Sequence, residues 1–175
     1  MFRTIAAGLA TALIATSAAA EVTTRADDGF SLSFERKLTV SAEAVLAAVG
    51  RPAAWWSAAH TYSGSAANIR VDLAPGGCWC EDLPGGGVKH AETIMVMPQR
   101  RIVRFDAPFG PLQSIGADAV LTMTWADDAD GAARTLKWTY VVSGPGAGAM
   151  ADAIDGVLAE QFGRLAAYLE TDPAP

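Results

Sequence analysis

Cysteine is nearly absent from this chain: 175 residues hold two, Cys78 and Cys80. Any internal disulfide must join that pair, so no disulfide framework supports the fold. Histidine is as scarce, with His60 and His90 alone. A Ser-His-Asp triad therefore has few possible bases, and no serine is clearly placed for one. Basic residues are outnumbered, 13 Lys and Arg against 19 Asp and Glu, for a formal net charge of −6. Nucleic acids and anionic membranes are held by Lys and Arg, so neither is an expected partner. The chain has no GxSxG elbow, no HExxH, no Walker loop and no dinucleotide fingerprint. Gly85-Gly86-Gly87 reads as a turn, because no helix follows it to cradle a phosphate. Long apolar runs are missing too, as Ile5 to Ala15 falls well short of the ~20 residues that span a bilayer.

What is present begins with that run. Arg3 precedes it, and Ala18-Ala19-Ala20 closes it with small residues. This layout predicts a signal peptide over 1–20, cut after Ala20, with export to the periplasm or beyond and no stable membrane insertion afterwards. The remainder, about 155 residues, is one domain's worth. Residues 21–29 are polar and read as a flexible arm, 30–170 as a single domain, and 171–175 as a tail.

Along the domain, Phe30, Leu32, Phe34, Leu38 and Val40 alternate with polar residues, as in a half-buried strand. Ser41 caps a short helix to about Val49, and Pro52 opens a second through Trp55-Trp56. Period-two segments return near Asn68, Cys78–Asp82, Val88–Met97, Arg101–Ala107, Ala117–Trp125 and Leu136–Val142. After Gly144-Pro145-Gly146 the period becomes helical, with Met150, Ile154, Val157, Leu158, Phe162, Leu165 and Leu169 on one stripe. The class is α+β: a curved antiparallel sheet of about 6–7 strands around one long C-terminal helix, with two short helices after the first strand.

Several motifs resemble a known superfamily. They are Trp55-Trp56 with His60-Thr61-Tyr62-Ser63-Gly64, Pro75-Gly76-Gly77-Cys78-Trp79-Cys80-Glu81, His90, and Phe109-Gly110-Pro111-Leu112-Gln113. With the element order, they look like the helix-grip fold of the START/Bet v 1-like (SRPBCC) proteins. The nearest resemblance is to bacterial Hsp90-ATPase-activator homologues and polyketide cyclase/dehydrase-like members. The resemblance implies a cavity for a lipid, sterol, polyketide or hormone-like molecule, and some members are cyclases or hydratases. It carries no shared catalytic set. An Hsp90 role is not expected, because the predicted export signal separates the chain from a cytosolic chaperone.

Chemistry concentrates in the hairpin around Pro84. Pairing Glu81 with Lys89 sets Cys80 opposite His90 and Cys78 opposite Glu92. Cys78, Cys80, His90 and Glu92 then share one face. Three readings stay open for this cluster: a polar patch orienting a ligand, acid/base chemistry by His90 with Glu92 or Glu81, and metal binding by Cys78, Cys80 and His90. No cofactor is expected, and C-x-C alone is a weak metal signal. A regular strand holds residues i and i+2 roughly 6.5–7 Å apart, too far for a disulfide. Free buried thiols are therefore expected unless a bulge intervenes. The candidate ligand contacts are completed by Trp55, Trp56 and His60 at a gate, and by Trp125, Trp138 and Tyr140 along the wall. Arg36 and Arg104 are further inward candidates at strand ends.

Overall fold

The computed structural model describes residues 21–129, 131 and 133–171. The predicted signal peptide and the tail beyond Thr171 lie outside these residues. Strand β1 (Glu21–Ala26) pairs with β2 (Gly29–Leu38), so the expected flexible arm is a strand instead. Its sequence conceals this, because Thr23, Thr24 and Arg25 show no apolar alternation and the strand lies at a sheet edge.

Helix α1 (Ala42–Val49) follows, capped by Ser41 Oγ, which accepts from the Ala44 amide at 3.0 Å. Short turns at Pro52–Ala54, Ala58–His60 and Ala66–Asn68 lead into β3 (Ile69–Val71). Then come β4 (Cys78–Leu83), β5 (Gly86–Met97) and β6 (Ile102–Asp106). The one-turn helix α2 (Pro111–Ser114) precedes β7 (Asp118–Asp127) and β8 (Arg134–Ser143), and α3 (Ala151–Thr171) closes the chain. The eight strands form one antiparallel sheet in the order β1-β2-β8-β7-β6-β5-β4-β3. Its curvature around α3 gives the helix-grip architecture.

Alternation decides the inner face. Phe30, Leu32, Phe34, Leu121, Met123, Trp138 and Tyr140 are buried, while Ser31, Ser33, Thr122 and Thr139 lie on the outer side. Helix α3 lays Ile154, Leu158, Phe162, Leu165 and Leu169 against that face. Val157 and Met150, expected on the same stripe, are only half-buried.

The interior is filled by rings. Trp79 packs edge-on against Trp55, Trp56, Phe105 and Phe109 at centroid distances of 6.2, 5.2, 5.2 and 5.5 Å. Trp138 bridges Trp55 and Phe162 at 6.0 and 5.4 Å. Open space borders this layer toward one end of the grip. Arg36 reaches α3 and pairs with Glu170 at 3.1 Å, whereas Arg104 lies on the outer face and donates to Thr122 at 3.0 Å. No helix among the described residues is long and apolar enough to cross a membrane.

Candidate functional site

Strands β4 and β5 meet in a tight hairpin over Pro84-Gly85, where Gly85 adopts φ +78. A residue with a Cβ is strained there. From the turn the pairs run Glu81↔Val88 and Cys80↔Lys89, then jump to Trp79↔Ala91 and Cys78↔Glu92. His90 is therefore the extra residue of a bulge. The Trp79↔Ala91 and Cys78↔Glu92 pairs are those expected from alternation, but the bulge replaces the expected Cys80↔His90 and Glu81↔Lys89 pairs and removes His90 from the cluster of Cys78, Cys80, His90 and Glu92. The bulge turns His90 to the inner side beside Trp79 and Glu81, all three buried. Cys78, Cys80 and Glu92 stay half-buried on the opposite face, where Glu92 pairs with Lys89 at 2.6 Å.

The cysteines are joined, with Cα atoms 5.3 Å apart, which corrects the expectation of free thiols. The register shift lies within this segment, where the two Cα atoms are closer than in a regular strand. A disulfide facing away from His90 also removes the Cys78/Cys80/His90 metal reading. Among the described residues, no group of three or more His, Cys, Asp or Glu could hold a metal ion.

The structure pairs His90 with Glu81 instead. His90 Nε2 lies 2.9 Å from Glu81 Oε2. The carboxylate also accepts the Tyr62 amide at 3.0 Å and the Ser63 amide. Burial by itself raises the Glu81 pKa, but hydrogen bonds from Ser63, Tyr62 and His90 outweigh it and hold the carboxyl at about 2. An ionised Glu81 only accepts, so Nε2 carries a hydrogen and Nδ1 is the ring nitrogen left over. The Tyr62 ring stacks on the imidazole at 5.7 Å.

The second histidine has a parallel arrangement. His60 Nε2 lies 3.0 Å from Glu160 Oε2 on α3. A hydrogen bond from the Ser57 side chain, and less strongly the one from His60, hold Glu160 below the usual carboxylate range. The Ser57 amide donates to Gln161 Oε1 at 2.8 Å, and Trp56 Nε1 donates to the His60 carbonyl at 3.0 Å. These bonds tie the 56–63 segment to α3 on one side and to β4 on the other.

Between them lies a cavity of about 230 Å³, with Trp56, Tyr62, Phe109 and Leu158 among its apolar walls. Both of the chain's histidines line it. It sits between α3, the 56–62 segment and the loop at Phe109, at the end of the grip. Of the sequence candidates, Trp56, His60 and His90 line this space and Glu81 stands behind His90. Trp55, Trp125, Trp138 and Tyr140 lie in the packed interior. There, Trp55 Nε1 donates to the Ala48 carbonyl at 2.8 Å and the Tyr140 hydroxyl to Ala107 at 2.6 Å. Burial pushes the Tyr140 hydroxyl pKa upward.

Glu160, Gln161 and Leu158 escaped the sequence reading as site residues. They belong to α3, about a hundred residues from His60, and no local pattern joins them. Tyr62 and Phe109 did stand within the motifs that carried the resemblance.

No family model matches the chain, and no curated protein matches it by sequence. Solved structures do match its shape. CalU16 from Micromonospora echinospora aligns with a TM-score of 0.56 at 15% identity, over 90% of this chain and 88% of its own. DynU16, from the dynemicin biosynthetic locus, aligns with 0.56 at 22% identity, over 82% of this chain and 48% of that longer one. A Thalictrum norcoclaurine synthase point mutant, in complex with a transition-state analogue, aligns with 0.53 at 12% identity, over 81% and 94%. Sheet order, terminal helix and these likenesses together show that the chain has the Bet v 1-like helix-grip fold.

Proposed function

We propose that this protein is an exported binding protein for a compact, apolar, ring-sized molecule, held in the cavity at the end of the grip. The observation that carries this is the convergence of both histidines, each backed by a glutamate, on one apolar space. Ligand sites for drug-sized molecules usually offer ~300–1,000 Å³. The 230 Å³ here suits one or two fused rings better than a sterol or long acyl chain. The aromatic walls supply the contact area, and the imidazoles supply polar contacts that orient the ligand. Export is part of the proposal and rests on the signal-like first 20 residues.

Calorimetric titration of the purified protein with 2-naphthol tests it, beside a Leu158→Trp variant that fills the cavity. One-to-one binding, weakened at least ~10-fold by the plug, supports the proposal. Absence of binding, or binding indifferent to the plug, overturns it.

A second reading is favoured by the buried Glu81–His90 pair. Glu81 orients the imidazole through Nε2, so a neutral His90 can accept a proton at Nδ1 from a bound substrate. The likeness to a synthase structure fits chemistry in such a fold. Under this reading His90→Ala abolishes turnover of an identified substrate, and Glu81→Gln shifts the pH–rate profile. Unchanged turnover in His90→Ala removes His90 from the reaction.

A further inference from the structure

We infer that the Cys78–Cys80 bond selects which residue of β5 faces Glu81, so that thiol–disulfide exchange regulates the pocket. Strand β4 keeps its own alternation in either pairing, with Trp79 and Glu81 inward and the two cysteines outward. The choice belongs to β5. In the bulged pairing His90 is the extra residue and turns inward, while Lys89 stays outside and bonds Glu92. In the regular pairing Cys80 stands opposite His90 and Glu81 opposite Lys89. That one-residue slip turns His90 out to the face of the cysteines and Lys89 in toward Glu81.

Both arrangements satisfy the buried carboxylate. One gives it an imidazole and the other an ammonium. The hairpin accommodates both as well, because Gly85, Gly86 and Gly87 allow the turn to lengthen by one residue. Two internally consistent registers of one hairpin form a bistable element.

The disulfide breaks the tie. It holds the Cα atoms of Cys78 and Cys80 5.3 Å apart, against roughly 6.5–7 Å in a regular strand. The contracted stretch carries the register shift itself. Both cysteines are half-buried on the outer face, away from the cavity, so exchange does not require the pocket to open. The reductant is a dithiol. One of its thiolates attacks a sulfur of the bond and releases the other cysteine as a thiolate, which takes up a proton. The dithiol's second sulfur then displaces the first cysteine and leaves as a disulfide. Two electrons and two protons reach Cys78 and Cys80, the contraction is released, and the regular ladder becomes available.

The consequence for ligand rests on the binding reading above; the register change does not. The test compares oxidised protein, dithiol-reduced protein and the Cys78→Ser/Cys80→Ser variant. Diethylpyrocarbonate labels histidine and an acetylating reagent labels lysine, both mapped by peptide mass. His60 serves as the internal reference. The expected result is opposite movement: in both unbridged forms His90 labels at least ~10-fold faster and Lys89 several-fold slower. Unchanged labelling overturns the inference. A rise at both positions overturns it too, since that is loosening without exchange of faces. Loss of the cooperative unfolding transition in both unbridged forms also overturns it, because the bond would then only hold the fold together. Titration of 2-naphthol into the same samples separates the two proposals: opposite movement without binding in any form sinks the binding reading alone.

Discussion

The interior beneath the sheet and the cavity at the end of the grip are built from the same material. Trp79, Trp55, Trp138 and Phe105 fill the first; Trp56, Tyr62 and Phe109 frame the second. Aromatic content does not separate them. What differs is polarity and closure. The interior rings interlock edge to face, whereas the cavity walls include two imidazoles whose carboxylate partners sit behind them. In this molecule rings alone make core, and rings with backed histidines line the cavity proposed as the binding site.

The largest test of that contrast is Trp79→Ala. It removes a fully buried ring touching four others, and a loss of about 3–5 kcal/mol is expected in denaturant unfolding. A loss below 1 kcal/mol would mean the interior is not the packed half of the comparison. Glu81→Gln comes next, at about 2–3 kcal/mol near neutral pH, because an amide cannot replace a carboxylate that only accepts. The folded-state pKa of Glu81 is depressed, so its stabilisation is present above the unfolded value near 4.5 and is lost as pH falls toward about 2. The stability curves of wild type and variant should converge across that window. Parallel curves would remove Glu81 from the acid limb. His60→Ala is the smallest change, below ~1 kcal/mol in stability, because its pair with Glu160 is partly exposed. Its effect belongs in the 2-naphthol titration, where a several-fold weakening is expected and an unchanged affinity would make His60 a bystander.

Much of the fold is readable because its strands are one-sided. Leu32 and Phe34, or Leu136, Trp138 and Tyr140, announce both strand and inner face by alternation alone. The stripe on α3 does the same at a helical period. Strand β1 is not readable, because an edge strand of Thr and Arg buries too little to show a pattern. The site is less legible than the fold for a related reason. Alternation assumes a regular ladder, and the bulge at His90 is where that assumption breaks. It sends His90 to Glu81 and leaves Cys80 and Glu92 on the other side. The His60–Glu160 pair is a tertiary meeting of distant segments, and only the folded chain displays it.

The way Glu81 holds the 56–63 segment has a consequence for how this pocket can diversify. The carboxylate grips Tyr62 by its main-chain amide alone, while Ser63 adds a side-chain hydrogen bond to its own amide's. At position 62 any residue but proline offers the same grip. The side chain at position 62, which faces both solvent and His90, can therefore be exchanged while the loop keeps its anchor. Attachment at position 62 is encoded in the backbone, so under the proposed binding role a new ligand preference can be installed there without rebuilding the wall behind it.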